Sequence, residues 1–342
     1  MKPPLHPAAD LIALDIGGAQ IKAADGRGWT RVSPFPMWLK WEKLRSKIAS
    51  FLSHRPNKIV ATMTGEIADC FSSRKSGVAH IVNSLCDAAD KALIGIYTSD
   101  GELVSPEKAK HNYHTVAAAN WHAVARLAAS LTSKEDAVLL DIGSTTVDVI
   151  PIRNGQPIPL AFDDASRLAT GELVYTGIER TPVSAILKEI IHRGVHRPVS
   201  SELFARSQDA WILLKALPEQ NHSYDTADGK SATASAARLR LARTMLLDSE
   251  IFSMNDAYLA AEQIADAQSK MIMAGLQKVM LKSRLKPNTI VVSGHGKRLA
   301  QQVINNLPMD ISTIYLQDFF SNVVSRSAPA HALALIARGV LS

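Results

Sequence analysis

Two short stretches hold the residues best suited to chemistry in this chain: "DIGGAQIK" at 15–22 and "DIGSTTVD" at 141–148. Each places an Asp at the end of an apolar run and follows it with glycine and small or polar residues. Val138, Leu139 and Leu140 read as a buried strand, and Val147, Val149 and Ile152 as the returning one, with Gly143 to Thr146 as the bend. A glycine-bearing hairpin tip presents backbone N–H groups, and hydroxyls beside it add donors, so such a tip can cradle an anion such as phosphate. A well-capped surface hairpin is the plainer alternative. Asp15 and Asp141 lie 126 residues apart in matching contexts, which reads as an internal duplication.

The elements that must position these tips follow from the pattern along the chain. A first unit runs from the Asp15 hairpin through a Trp-bearing segment (Trp29, Trp38, Trp41) and an amphipathic stretch at 41–53. Next comes "NKIVATMTGEIAD", a strand with a polar Thr64-Gly65-Glu66 turn, and then a helix. Asp100-Gly101 marks another hairpin tip, and "VAAANWHAVARLAASL" reads as a helix. The domain boundary falls at Lys134 and Glu135, giving units 1–134 and 135–326. The second unit contains the Asp141 hairpin, a loop at 163–182, a helix with Arg238, Arg240 and Arg243, and a long helix from about 255 to 284. "NTIVVSGHGKRLA" then reads as strand, glycine turn and helix start. A closing helix at 327–342, with Pro329 near its start, is expected to dock on a core and complete the first unit.

At 342 residues and 46% hydrophobic content, the chain can bury sizeable cores, and its length favours two domains. The net charge of +6 is spread without a run of basic residues, which argues against a nucleic-acid tail and suits an anionic small molecule. Residues 1–18 lack the apolar stretch of a secretory signal, and no segment approaches a membrane span. Cys70 and Cys86 are too few and too widely spaced for a cysteine zinc site, and both read as core residues. A cytoplasmic protein is expected, with no nucleic-acid or membrane partner and with its oligomeric state open. His111 and His114 have HxxH spacing but would need further ligands, and Trp121 reads as a core or cleft wall.

The two DIG hairpins, the later "VVSGHG" turn and the closing Ala- and Gly-bearing helix resemble the superfold of acetate and sugar kinases, heat-shock chaperones and actin. That resemblance implies an α/β fold of two duplicated actin-like (ribonuclease H-like) domains around a cleft, though it does not settle the function. "ATMTGEIADCFSSRKSGV", "AAANWHA", "ATGELVYTGIERTPV" and "DGKSATASAARLRLAR" resemble, more closely, the hydantoinase/oxoprolinase-like family and its branch in tetrahydromethanopterin-linked one-carbon transfer. This branch is expected to have Asn-Thr before Lys22, where the chain has Gln20-Ile21. The implied activity is a transferase of methanofuran-type cofactor biosynthesis. It condenses an aminomethylfuran methyl diphosphate with the phenol of a glutamylated tyramine, or its tyrosine analogue, giving an aryl ether and diphosphate.

On that reading, Asp15, Gly17, Gly18, Asp141, Gly143, Ser144, Thr145, Thr146, Gly294 and Gly296 are diphosphate-site candidates, with Lys22 sharing the charge. Each well-placed donor can supply about 3 kcal/mol of transition-state stabilisation. Mg2+ is expected between diphosphate and the carboxylates of Asp15 and Asp141. The alternative for these two Asp residues is holding the hairpins through backbone N–H groups. A phenol ionises near pH 10, so a base is needed, and Glu66, Asp69 and Glu172 are its unranked candidates. Thr64, Arg74, Lys75, Arg180, Asp228 and Arg240 are substrate candidates, the arginines through paired hydrogen bonds to diphosphate or glutamyl carboxylates. Asp228-Gly229 reads equally as a turn, and His295 is a secondary ligand contact. The main rival is an ATP-dependent kinase or ATPase of the same superfold, in which ATP would be the cofactor. A scaffold that has lost its chemistry and a hydantoin-type hydrolase are weaker readings, and no metal-ligand cluster supports the hydrolase.

Overall fold

A computed structural model describes residues 10–132, 135–308, 310–320 and 322–341. The boundary residue expected at Lys134 and the last residue of the expected closing helix, Ser342, lie outside the described residues.

The first sheet is built from β1 (Leu11–Ile16), β2 (Gln20–Ala24), β3 (Thr30–Pro34), β4 (Lys58–Met63), β5 (Leu93–Tyr97) and β6 (Leu103–Val104), in the order β3-β2-β1-β4-β5-β6. The second is built from β7 (Ala137–Ile142), β8 (Val147–Arg153), β9 (Gln156–Pro157), β10 (Leu173–Val174), β13 (Thr289–Gly294) and β14 (Ser312–Tyr315). Its order is β10-β8-β7-β13-β14, with β9 on β8. In both sheets the first three strands pair antiparallel and the next two join parallel to the central strand. The same order and the same senses occur twice, so the chain is a duplicated ribonuclease H-like α/β protein of the actin type.

The central strands β1 and β7 are almost wholly buried, as expected of strands covered on both faces. Their side chains alternate between layers. Ile12, Leu14 and Ile16 enter a core confined to the first sheet, while Val138, Leu140 and Ile142 enter one confined to the second. The odd-numbered residues Leu11, Ala13, Ala137 and Leu139 share a third core with the helices Asn120–Ser130 and Ala328–Ala337. Asp15 and Asp141 continue the odd positions, so strand parity turns both carboxylates toward the layer between the sheets.

The helix Ala328–Ala337 is anchored beyond its apolar face, because Arg338 donates to both carboxylate oxygens of Asp10 and to the Asp25 carbonyl. The segment expected as a loop at 163–182 instead contains the helix Asp164–Thr170 and strand β10. Asp163 caps that helix by accepting from the Ser166 N–H at 3.0 Å. A further hairpin, β11 (Glu189–His192) with β12 (Val195–Pro198), forms outside both sheets.

Candidate active site

The two tips match residue by residue. The Gly17 N–H donates to the Gln20 carbonyl at 3.0 Å, and the Gly143 N–H to the Thr146 carbonyl at 2.9 Å. Thr64 and Gly65 donate their N–H groups to the Ile16 carbonyl at 3.1 and 3.0 Å, and the His295 N–H donates to the Ile142 carbonyl at 3.2 Å. The Thr64-Gly65 turn is thus to the first tip what the His295-Gly296 turn is to the second. Ile21, where a hydroxyl was expected, is fully buried in the core of the first sheet, so its side chain faces away from the cleft.

The tips differ in charge. Asp15 lies opposite Lys22 in the β1–β2 register, with the Lys22 Nζ 3.1 Å from its Oδ2. The other Asp15 oxygen, Oδ1, is buried without a hydrogen-bond partner. At the matching position of the second tip, Asp141 faces another carboxylate, Asp148. Burial pushes Asp141 up to about 6, and Asp148 adds to the rise, while the Ser293 hydroxyl, Lys22 and His295 oppose it. Lys22 therefore serves both tips.

Asp148 has its own cation. Arg167, almost fully buried, donates from Nη2 to Asp148 at 2.7 Å and to the Glu172 carbonyl at 3.3 Å. Its guanidinium also covers the Trp121 ring at 4.2 Å. Arg167 Nη1 is 3.9 Å from Asp164, and Asp164 bonds Arg74 at 2.7 Å. Arg74 begins the helix Arg74–Ala88 beside the first sheet, so this pair joins the two halves across the cleft.

Glu66 lies at the end of this chain of charges. It is 1% exposed, and among the described residues its carboxylate oxygens meet only weak backbone N–H contacts, from Glu66 itself and Ala118, short of full hydrogen-bond geometry. Burial pushes its pKa up to about 7; Arg74 acts against the rise and Asp164 with it. The helix Arg74–Ala88 closes over it at Gly77, where a Cβ would come within 2.1 Å of the Glu66 carbonyl oxygen. Only glycine allows that approach.

The other base candidates differ sharply. Asp69 is exposed. Glu172 is buried but engaged, accepting from the Leu160 N–H at 2.7 Å and the Thr170 hydroxyl at 2.8 Å, so both its oxygens hold the fold. Arg240, expected at substrate, is fully buried between Asp209 (2.8 Å) and Asp228 (3.0 Å), and Arg243 completes the group at 3.1 Å from Asp228. Its helix Ala234–Thr244 buries Ala237, Leu241 and Ala242 beside it, and a cation on that face must find internal carboxylates. Arg240 is thus satisfied by Asp209 and Asp228 and is closed to an anionic ligand, while Asp228, at the exposed edge of the group, is engaged by two arginines.

Arg180 is half-buried, with its guanidinium 4.9 Å from the Trp38 ring of the first half. Lys75, His111 and His114 are exposed. Cys70 and Cys86 are free thiols, half-buried, with burial raising both.

Glu179, Asp148, Arg167 and Asp164 are site residues that the sequence reading left out. The Glu179 and Arg180 N–H groups both donate to the Ser144 carbonyl at 3.0 Å. Gly177 permits this, since a Cβ there would lie 2.4 Å from the Ser144 carbonyl oxygen. The Glu179 side chain meets the His295 ring, Oε1 to Nε2, at 3.0 Å.

Residues 58–339 match the profile of the hydantoinase/oxoprolinase family, and the chain belongs to that family. A curated relative from Methanocaldococcus jannaschii is 28% identical over 95% of this chain and 96% of its own length. It is named (4-{4-[2-(gamma-L-glutamylamino)ethyl]phenoxymethyl}furan-2-yl)methanamine synthase. The Methanococcus vannielii protein of the same name is 28% identical over 61% of this chain and 93% of its own. Among solved structures, an inorganic polyphosphate/ATP-glucomannokinase from Arthrobacter sp. strain KM aligns over 97% of this chain and all of its own, at 14% identity and a TM-score of 0.45. A PilM-PilN type IV pilus biogenesis complex aligns over 98% of this chain and 99% of that chain, at 12% and 0.48. Among the described residues no helix is long and apolar enough to cross a membrane.

Proposed function

We propose that this chain is a transferase that joins the phenol oxygen of a glutamylated tyramine, or its tyrosine analogue, to the methyl carbon of an aminomethylfuran methyl diphosphate. The observation that carries the reading is the chain-long likeness to the M. jannaschii synthase, whose name specifies a phenoxymethyl furan, that is, an aryl ether. The name leaves the leaving group open. Diphosphate is proposed because the two glycine-bearing tips and Lys22 supply donors suited to a polyanion.

In the reaction the phenol O–H loses its proton to Glu66, and the phenol oxygen forms a bond to the CH2 carbon. The bond from that carbon to the diphosphate oxygen breaks, and its electron pair leaves with diphosphate. Glu66, buried and held near 7, is matched to take a proton at neutral pH. The electron-rich furan spreads positive charge at the CH2 carbon, so most of the stabilisation is needed by the departing anion. Lys22 and the N–H groups of Gly18 and Ser144, which lie at the tips, would supply it.

The residues fit Mg2+. The Asp15 Oδ1 is unpartnered, and with Lys22 against Asp15 and Arg167 against Asp148, the Asp141 carboxylate is left without a cation of its own among the described residues. Asp15 and Asp141 would hold the ion, which binds through one or two carboxylates plus substrate oxygens. When bound, it would neutralise charge building on the diphosphate.

The test incubates the protein and Mg2+ with the furan diphosphate and glutamyl-tyramine or the tyrosine analogue, following ether and diphosphate by mass spectrometry. ATP is run alone in parallel. Ether and diphosphate forming together without ATP is the expected result. ATP consumption with no ether would replace this reading with a kinase or ATPase.

A further inference from the structure

We infer that His295, oriented by Glu179, is a second proton-carrying group of the site, donating to the departing diphosphate from the second tip, while Glu66 belongs to the turn on the first. The inference rests on the transferase reading and extends it to residues with no role there.

Three features of the geometry lead to it. First, both partners are fixed to the same tip: His295 by its N–H to the Ile142 carbonyl, and Glu179 by its N–H to the Ser144 carbonyl. The residue between those carbonyls is Gly143, so the pair flanks the cradle itself. Second, the side chains meet at 3.0 Å and are only half-buried, 22% and 26% exposed, so the ring is oriented yet reachable. In its imidazolium form the ring gives Nε2–H to the Glu179 carboxylate and keeps a second proton, on Nδ1, that it can pass on. Third, Glu179 is kept as a carboxylate. Burial alone would raise it, but the His295 bond and the charges of His295 and Arg326 outweigh that, with Asp225 opposing, and hold it below its usual range.

The duplication supports a division of labour. The turn pressed on the first tip runs Thr64-Gly65-Glu66, and the one pressed on the second runs His295-Gly296-Lys297. Glu66 is buried and accepts a proton, while His295 is half-exposed and gives one. As the carbon–oxygen bond breaks, the diphosphate oxygen gains the electron pair and receives the Nδ1 proton. The proton taken by Glu66 from the phenol balances the step.

His295→Gln and Glu179→Gln are each compared with the parent protein on two substrates. One is the furan diphosphate. The other is its difluoromethylenebisphosphonate counterpart, which presents the same kind of polyanion as a weaker base and needs less protonation. The expected result for His295→Gln is a fall in kcat of about 100-fold or more on the diphosphate, less than about 10-fold on the fluorinated substrate, and little change in KM. Glu179→Gln, which acts through the ring, should show the same selectivity at smaller size. Unchanged melting temperatures rule out loss of fold. Equal losses on both substrates, or no loss, would overturn the proton-donor role while leaving the transferase intact. Absence of ether from the parent protein would overturn the transferase reading, and this one with it.

Discussion

The two hairpin tips share a backbone but not a charge. Asp15 and Asp141 occupy equivalent places, yet the residue opposite the first is Lys22 and the residue opposite the second is Asp148. The first tip is locally neutral. The second keeps an excess carboxylate, is partly served by Lys22 from across the cleft, and relies on Arg167 for Asp148. The duplicated scaffold thus sets a paired carboxylate at one tip against an excess carboxylate at the other, with the charge of Lys22 acting on both.

The largest effect should come from the turn on the first tip. Glu66→Gln is expected to lower ether formation by about 100- to 10,000-fold. It should also stabilise the protein at alkaline pH. The folded-state pKa of about 7 lies above the ordinary glutamate value of 4.5, so between these values the folded protein binds the extra proton. Stability therefore falls as pH rises through that window, by about 3 kcal/mol once Glu66 is ionised. Melting temperatures should separate at pH 8, with the variant higher, and converge below pH 4.5. Equal melting curves at pH 8 would mean that Glu66 is not the strained carboxylate described.

Next comes the shared lysine. Lys22→Gln removes the partner of Asp15 and a charge acting on Asp141, and turnover should drop by about 100-fold. If Lys22 served only the first tip, the variant would leave Asp141 where it is. An NMR titration of labelled Asp141 should instead show its pKa rising above about 6. At the second tip, Asp148→Asn strands the buried Arg167, whose 2.7 Å contact is lost. Breaking a buried pair from one side costs about 3–5 kcal/mol, and urea unfolding should register it. A loss below 1 kcal/mol would show that the Trp121 face and Asp164 suffice for Arg167.

What could be read from sequence was what depends on neighbours along the chain. Apolar runs ending in Asp-Ile-Gly announce both tips, and strand parity puts Asp15 and Asp141 on like faces. The burial of Glu66 depends on the helix at Arg74–Ala88 closing over it, and no local pattern around Thr64-Gly65-Glu66 reveals that. Arg240 reads as a substrate arginine because Asp209 and Asp228, which hold it, lie 31 and 12 residues away. Glu172 was readable as a base only while its partners Leu160 and Thr170 were unseen. The helix hidden in the expected loop at 163–182 did have a local signal, an Asp-x-x-Ser start at Asp163.

The smallest effects should come from the bridge that joins the halves, and they sharpen the comparison because their signs oppose. Arg74 and Asp164 are 30% and 22% exposed, so losing the pair should cost less than about 1 kcal/mol of stability. Both charges nevertheless act on Glu66, Arg74 lowering its pKa and Asp164 raising it. Arg74→Gln should therefore move the acid limb of the rate profile above about 7, and Asp164→Asn should move it below. Asp164→Asn also frees Arg74 from its partner, so both changes act in one direction on the carboxyl. Rate profiles shifting in the same direction for the two variants would mean that the bridge acts on Glu66 by holding the cleft closed; opposite shifts would mean that it acts by charge.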